Sequence, residues 1–348
     1  MGNNKQKVTE TFIIYTILPE KFYRPFKSPN PSQLFSLNMI NTRCIFIGGK
    51  QLGLDCLDQI FEFDIRPQLA LGNSDDNGED KLLHQSFIKC AEKKNLRVIR
   101  NQSLRSLKLI ESFKKAQPEI IFSIGGTRLI PPEILKIPRL GCLNIHPALL
   151  PKYRGRYSTA HAIFNGETRT GVTLHWIDGG IDTGPIVFQE PITISPDDTA
   201  KSLYEKLTVT GGKLFTRFLK LWLSGEPIPS MAQDNSLSTY YPKVLPNDGK
   251  IDWSWSGEQI RNFIRAMTFE PFPPIQMKFG EKDIVIIDEN LSTNHRGKLP
   301  NKEKIDWSWS GEQIRNFIQA ITIKPFYLIK FNIGKKNMVI VEKKFYKY

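Results

Sequence analysis

The stretch that organises this chain runs from Leu143 to Gly184 and reads LNIHPALLPKYRGRYSTAHAIFNGETRTGVTLHWIDGGIDTG. It opens with an apolar segment that carries Asn144 and His146 two residues apart, and it closes with Asp182. An amide, an imidazole and a carboxylate are groups that stabilise an oxyanion and move a proton. We therefore take these three side chains as the candidate catalytic residues.

The segments around this stretch alternate between apolar strands and helices. TRCIFI at 42–47 predicts a buried strand, Gly48-Gly49 a tight turn, and the apolar spacing of 52–61 a helix. Further strands are predicted at 67–71, 97–99, 119–124, 142–145 and 171–176. Such alternation is typical of an α/β fold with a doubly wound, mostly parallel, Rossmann-like sheet. Ligands bind at the carboxyl ends of such strands, which is where Asn144 and His146 are expected.

The bulk composition restricts the class of protein. The chain has 348 residues, enough for two domains, and a formal net charge of +13. Its Lys and Arg residues are scattered and no nucleic-acid-binding motif is apparent, so we interpret the charge as a basic surface that attracts anionic metabolites. The four cysteines lack metal or disulfide spacing and are predicted to be buried thiols. Without a signal peptide or a long apolar run, we expect a cytoplasmic protein that does not contact the membrane.

The sequence divides into parts of different character. Residues 1–40 are rich in prolines towards their end and are predicted to form an N-terminal extension. We place the catalytic domain at 41–235 and a smaller β-rich C-terminal domain at 236–290. In the smaller domain, Ser256 and Gln259 have the spacing of a helix capping box.

The C-terminal part then repeats itself. The segment KIDWSWSGEQIRNFI at 250–264 (copy 1) recurs letter for letter at 304–318 (copy 2). The copies diverge directly afterwards, where Arg265 is replaced by Gln319. We interpret residues 291–348 as a tandem duplicate of the C-terminal segment and as a drifting appendix. Folding of copy 2 onto copy 1 is a hypothesis.

Five short motifs follow one another along the chain. They are Asn144-Ile145-His146-Pro147, Leu149-Leu150-Pro151-Lys152-Tyr153-Arg154-Gly155, Asn165-Gly166-Glu167, Thr170-Gly171-Val172-Thr173-Leu174-His175 and Asp182-Thr183-Gly184. Together they resemble the formyltransferases that use 10-formyltetrahydrofolate, over about residues 42–288. That family includes methionyl-tRNA formyltransferase, glycinamide ribonucleotide formyltransferase and the N-formyltransferases of nucleotide-linked amino sugars. The resemblance implies a formyltransferase with 10-formyltetrahydrofolate as co-substrate.

The resemblance also implies roles for the candidate catalytic residues. Asn144 is expected to donate to the developing oxyanion, His146 to take the proton of the attacking amine, and Asp182 to orient His146. No metal is expected. We interpret the two other histidines of the stretch, His161 and His175, as structural.

Further residues are expected to bind the two substrates. The resemblance places the folate at Arg128, Leu129, Ile130, Ile177, Asp178, Gly179 and Gly180. The predicted substrate-binding residues are Lys152, Arg154 and Tyr157. Lys152 and Arg154 are expected to meet either the folate tail or the diphosphate of a sugar nucleotide.

The acceptor is predicted from the loop after the second strand. Methionyl-tRNA formyltransferases carry a longer basic loop there, whereas residues 72–80 are short and acidic and are expected to repel phosphates. We therefore favour an amino-sugar N-formyltransferase whose partner is a small-molecule sugar nucleotide, for example dTDP-4-amino-4,6-dideoxyglucose. Methionyl-tRNA formylation and a catalytically idle binding module stay as alternatives. A homodimer is left open.

Overall fold

The computed structural model describes residues 42–80, 85–100, 102–269, 272–279, 282–288, 305–322, 329–333 and 336–342, so the predicted N-terminal extension at 1–40 lies outside the described residues. The strands are β1 (Cys44–Gly48), β2 (Leu69–Leu71), β3 (Val98–Ile99), β4 (Ile120–Ile124), β5 (Gly141–His146), β6 (Arg154–Gly155), β7 (Arg169–Ile177), β8 (Ile186–Thr193), β9 (Tyr240–Tyr241), β10 (Ile275–Phe279), β11 (Lys282–Asp288), β12 (Ile329–Ile333) and β13 (Lys336–Glu342). The helices are α1 (Lys50–Glu62), α2 (Phe87–Lys93), α3 (Leu107–Ala116), α4 (Pro132–Leu135), α5 (Ser158–Phe164), α6 (Ala200–Ser224), α7 (Gly257–Met267) and α8 (Gly311–Thr322).

Seven strands form the larger sheet in the order β3-β2-β1-β4-β5-β7-β8. The pairs from β3 to β5 are parallel, whereas β7 is antiparallel to both β5 and β8. This order confirms the predicted doubly wound, mostly parallel sheet. The antiparallel end follows from the connection between β5 and β7. Because that connection returns to the sheet beside His146, where β5 ends, β7 runs back in the opposite direction.

Apolar clusters cover both faces of this sheet. Successive side chains of a strand point to opposite faces, and on β1 Phe46 lies in one cluster and Ile45 in the other. The first, the α6-side cluster, joins Phe46 to Phe215 and other residues of α6. The second, the α3-side cluster, joins Ile45 to Phe113 of α3. A sheet buried on both faces needs strands that are apolar on both sides, which explains the CIFIG run of β1 and the IIFSI run of β4, in which Ser123 is the one polar residue.

A smaller antiparallel sheet has the strand order β10-β11-β13-β12. The helix before it, α7, begins at the predicted capping box, in which Ser256 and Gln259 bond each other's main-chain N–H groups. The strands of the smaller sheet come from both repeats: β10 and β11 follow copy 1, and β12 and β13 follow copy 2. The smaller β-rich part is thus confirmed as a feature of the fold, while the domain limits at 40, 235 and 290 stay predictions.

The longest helix, α6, has 25 residues. Within the described ranges, no helix is both long and apolar enough to span a bilayer.

Candidate active site

The pairing of β5 with β7 brings the first site residues together. Asn144 lies opposite His175 and His146 lies opposite Thr173. Leu143 and Leu174 of these strands belong to the α6-side cluster. Because side chains alternate along a strand, Asn144, His146 and His175 point to the other face, towards the α3-side cluster.

Asp182 reaches the same place from the loop between β7 and β8. Its backbone is left-handed, with φ at 54°, and its Oδ2 accepts the N–H of Gly155 at 2.8 Å. The same Oδ2 is 3.4 Å from His146 Nδ1, and Oδ1 is 3.6 Å from His175 Nε2. The structure therefore brings Asn144, His146 and Asp182, the three candidate catalytic residues, into one cluster.

His175 is a member of this cluster that the sequence interpretation treated as merely structural. Its Nδ1 lies 2.8 Å from the carbonyl oxygen of Trp176, which only accepts, so the proton sits on Nδ1. Nε2 is then an acceptor for the amide N–H of Asn144, at 3.1 Å. The pKa of His175 is lowered to about 4, mainly because the ring is buried, so the imidazole is neutral at pH 7. A neutral His175 orients the Asn144 amide by holding one of its two N–H groups.

One hydrogen bond of His146 shows which of its two nitrogens carries a proton. Nε2 lies 2.7 Å from the carbonyl oxygen of Tyr153, a distance that requires the proton on Nε2. Nδ1 is therefore the nitrogen with a free lone pair in the neutral ring, and it faces Asp182. The His146 side chain is only 6% exposed and that of Asp182 14%, so a positive charge on the ring would be attracted to the carboxylate with little screening by water.

Gln233 is a second residue that the sequence interpretation missed. Its Nε2 donates to the main-chain carbonyls of Asp182 at 2.9 Å and of Gly184 at 2.7 Å. Its Oε1 accepts from Arg154 Nε and Nη2, at 3.2 and 2.7 Å. Gln233 thus connects the buried Arg154 to the turn that presents Asp182. No local pattern in the sequence indicates this, because Gln233 lies 51 residues from Asp182 and 79 from Arg154.

The three predicted substrate-binding residues are placed very differently. Lys152 is exposed to solvent. Arg154 is buried, and its Nη2 also donates to Asn235 Oδ1 at 2.8 Å, so the guanidinium is engaged within the protein. Tyr157 is half-buried and its ring packs edge-on against Phe272 with centroids 5.2 Å apart.

The residues expected at the folate lie on two loops of the same face. Ile130 is part of the α3-side cluster and Ile177 packs against that cluster, so both segments adjoin the same apolar side chains. Leu129 is 71% exposed, an unusual state for a leucine beside a core. A side chain carbon added at Gly179 would meet no atom within 4 Å, so the second loop borders open space. An apolar floor beside open space and main-chain groups suits a flat, partly apolar ligand.

The remaining members of these loops are held by polar contacts. Arg128 donates from Nη1 to the carbonyl of Gln102 at 2.7 Å. Asp178 Oδ1 accepts from the N–H of Gly180 at 3.0 Å and from the Thr183 hydroxyl at 2.5 Å. These bonds shape the loop that leads into Asp182.

The acidic loop at 72–80 does not present all its charge to solvent. Asp76 is buried and accepts from the Ser86 hydroxyl at 2.6 Å and from the N–H of Ile88 at 3.1 Å, at the start of α2. Asp80 forms an ion pair with Lys89 at 2.7 Å. A count of charges does not show these partners, and the expectation that the loop repels phosphates stays a prediction.

The geometry of these groups defines a class of site. A positioned amide, a buried histidine and a buried carboxylate suit acyl-group transfer, in which an oxyanion forms and a proton moves. In the part of the chain that the structure describes, no group of three His, Cys, Asp or Glu side chains is placed to hold a metal ion.

Family comparison agrees with this class. Residues 70–219 match the formyl transferase family and residues 243–300 match the formyl transferase C-terminal domain. The chain belongs to the formyltransferase family. The resemblance inferred from the motifs is thereby confirmed, as is the expected class of enzyme.

Two relatives each match about two thirds of this chain. A methionyl-tRNA formyltransferase of Caldanaerobacter subterraneus subsp. tengcongensis is 33% identical over 237 residues, which cover 66% of this chain and 75% of that protein. The bifunctional polymyxin resistance protein ArnA of Wigglesworthia glossinidia brevipalpis is 35% identical over 241 residues, 69% of this chain. The match covers only 36% of the length of ArnA.

A solved structure shares the fold of this chain. An N-formyltransferase from Helicobacter canadensis, in complex with folinic acid and dTDP-3-aminofucose, superposes with a TM-score of 0.59 at 24% identity. The superposition covers 87% of this chain and 100% of that one.

The buried neutral His175 predicts a pH dependence of stability. Its ordinary pKa is 6.5 and its folded-state pKa is about 4, so the unfolded chain binds a proton in this range that the folded chain does not. This contribution to stability is complete above pH 6.5 and is lost as the pH falls towards 4, by up to about 1.4 kcal/mol per pH unit. Urea unfolding from pH 7 to pH 4.5 should show a shallower slope for His175→Gln than for the parent.

The matched comparison is His161→Gln, because burial also lowers the pKa of His161 but that ring bonds the Val244 carbonyl away from the cluster. Equal slopes for the parent and His175→Gln would contradict the assignment of a neutral His175.

Gln233→Glu tests whether Gln233 positions Asp182. Glutamate keeps an acceptor for Arg154 but replaces the amide that donates to Asp182 and Gly184. We expect a folded protein whose kcat falls roughly tenfold, equivalent to about 1.4 kcal/mol of transition-state stabilisation. The pH profile of kcat should also shift, because Asp182 no longer holds its place beside His146 Nδ1.

Asn235→Asp is the control, since it keeps the acceptor for Arg154 and does not touch the Asp182 turn. It should retain parental turnover and pH profile. Parental kinetics in Gln233→Glu would show that the contact has no bearing on the reaction.

Proposed function

We propose that this chain transfers the formyl group of 10-formyltetrahydrofolate to the amine of a nucleotide-linked amino deoxysugar. The observation that carries the proposal is the cluster of Asn144, His146 and Asp182, with His146 Nδ1 facing the carboxylate. Beside it, the exposed Leu129 and the open space at Gly179 are where the folate is expected. Membership of the formyltransferase family supports this co-substrate.

The proposed reaction assigns one task to each group. The amine nitrogen attacks the formyl carbon, and the oxyanion accepts the N–H of Asn144 that His175 does not hold. The proton of the amine passes to Nδ1 of His146, and the resulting imidazolium is stabilised by Asp182. The bond between the formyl carbon and the folate nitrogen then breaks, and that nitrogen takes the proton held by Nδ1 of His146 as tetrahydrofolate leaves, which returns His146 to its neutral form.

Two observations support a sugar nucleotide as the acceptor. The relative of known structure that binds dTDP-3-aminofucose is covered over its entire length. Residues 72–80 contain neither Lys nor Arg, so this loop offers no cation to a tRNA backbone. Asp76 points into the protein, so less of the loop's negative charge faces solvent. The loop still contains no basic side chain.

Methionyl-tRNA formylation is the second candidate. It is favoured by the net charge of +13, which attracts nucleic acid, and by the 33% identity to a methionyl-tRNA formyltransferase. The folate chemistry would be the same for both acceptors, so only the choice of amine separates them.

A panel of acceptors tests the proposal directly. The protein is incubated with 10-formyltetrahydrofolate and dTDP-, UDP- or GDP-linked amino sugars or methionyl-tRNA, and release of tetrahydrofolate is followed by absorbance. We expect turnover with at least one sugar nucleotide and none with its N-acetylated form, which lacks a free amine.

Turnover with methionyl-tRNA alone would refute the sugar assignment. A protein that binds folate but turns over none of these acceptors would favour the idle binding module instead.

His146→Asn tests the proton transfer. Removing the group that accepts the proton should lower kcat by about 10²–10⁴, while folate binding, measured by calorimetry, stays near the parental value. The same substitution at His161, which is buried but stacks on Tyr241 outside the cluster, should lower stability and keep turnover. Near-normal turnover of His146→Asn would remove His146 from its proposed role.

A further inference from the structure

The two copies of the repeat meet each other in the fold. Ser256 of copy 1 pairs in an antiparallel bridge with Ser310 of copy 2, which is its own counterpart 54 residues later. The N–H of Gly257 donates to the carbonyl of Trp309 at 2.9 Å, and the N–H of Gly311 donates to the carbonyl of Trp255 at 2.8 Å. The two hydrogen bonds are equivalent by symmetry, because each joins the same two positions of the repeat with the copies interchanged.

The small sheet shows the same symmetry between the two repeats. On β11 and β13, Ile286 pairs with Ile340, again its counterpart 54 residues later. On either side of this pair, Ile284 lies opposite Glu342 and Asp288 lies opposite Met338. A local two-fold axis therefore passes through both the Ser256–Ser310 pair and the Ile286–Ile340 pair, and the strand order β10-β11-β13-β12 is symmetric about it.

The contact is closely packed and apolar. One core cluster contains Ile260 and Ile264 of α7 together with their counterparts Ile314 and Ile318 of α8. A side chain carbon at Gly257 would overlap the carbonyl oxygens of Trp307 and Trp309. One at Gly311 would overlap those of Trp253 and Trp255. The contact thus requires glycine at both equivalent positions.

The copies differ where copy 1 meets the larger sheet's domain. In copy 1, Arg265 Nη1 donates to the carbonyl of Asp198 at 2.9 Å and Asn262 is buried. Gln319 stands at the position equivalent to Arg265, and the counterpart of Asn262, Asn316, is exposed. Copy 2 has therefore kept the residues that contact copy 1, and it lacks the arginine with which copy 1 holds the 195–198 segment.

A self-complementary contact in which residue i meets j and j meets i is the geometry of a two-fold homodimer. We propose that copy 1 carries such a dimerisation surface and that copy 2 occupies it within the same chain. The chain is then a monomer in solution, and copy 2 takes the place of a second subunit. The family match supports this assignment, because the matched C-terminal domain ends at residue 300, before copy 2 begins.

Cysteines at the two-fold axis test this proposal in the full chain. Ser256 and Ser310 are exposed, and the bonds that flank them make them a non-hydrogen-bonded antiparallel pair, whose side chains lie close enough for a disulfide. On oxidation, the double variant Ser256→Cys/Ser310→Cys should lose two thiols, run as a monomer on a non-reducing gel and elute by light scattering at 40.0 kDa.

The single variant Ser256→Cys distinguishes the alternatives. It should form no covalent dimer, because copy 2 covers copy 1. Suppose that this variant forms a covalent dimer and that the unmodified protein has twice the monomer mass in solution. Copy 1 then pairs between chains, and the proposal is overturned. A disulfide of the double variant formed between chains would also overturn it, as would the absence of any disulfide.

Two controls complete the experiment. Ser254→Cys/Ser308→Cys changes equivalent exposed residues that do not pair, and it should retain both thiols. Light scattering of the unmodified chain measures the mass without any substitution, so the proposal stays testable if a cysteine variant folds poorly. A mass of 40.0 kDa is expected, and a dimer would contradict it.

Discussion

The antiparallel pairing of β7 with β5 is the constraint on which the site depends. It places Asn144 opposite His175 and sets the face on which His146 and Asp182 meet. Since side chains alternate along a strand, a shift of one residue would bring Trp176 opposite Asn144 and turn His175 into the α6-side cluster. The apolar residues Leu143 and Leu174 fix the register, because that shift would also expose one strand's core face. Packing on one face of the sheet therefore determines the chemistry on the other.

The polar groups of the site follow from the rule that buried donors and acceptors are bonded. His175 is satisfied by a carbonyl on one nitrogen and by the Asn144 amide on the other. Arg154 is satisfied by Gln233 and Asn235, and Gln233 carries that connection to the Asp182 turn. The amide of Asn144 and the carboxylate of Asp182 are thus held in place by side chains that take no part in bond making. In the reaction proposed above, such support would reduce the reorganisation that the charged transition state requires.

The C-terminal repeat shows how a duplication acquires a structural role. Viewed in the sequence, copy 2 resembles an appendix that has begun to diverge. In the fold, copy 2 and the two strands that follow it supply half of a four-stranded sheet and about half of an apolar core. An edge strand exposes unpaired main-chain groups and invites association with another chain. Pairing β11 with β13 covers that edge within one chain, which gives copy 2 a reason to be retained.

Local sequence patterns are enough to predict the main elements and the principal catalytic candidates. Mostly apolar runs predict strands buried on both faces, and capping residues mark the start of α7. Asn144 and His146 lie at the end of a predicted strand. These signals are local, because propensity and periodicity act over a few residues. Which distant groups meet depends on the tertiary structure. In the folded chain, His175 lies beside Asn144 and Arg154 donates hydrogen bonds to Gln233. Asp76 points towards the start of α2. It also paired copy 1 with copy 2, since partners separated by tens of residues are selected by packing and by hydrogen-bond satisfaction rather than by neighbouring residues.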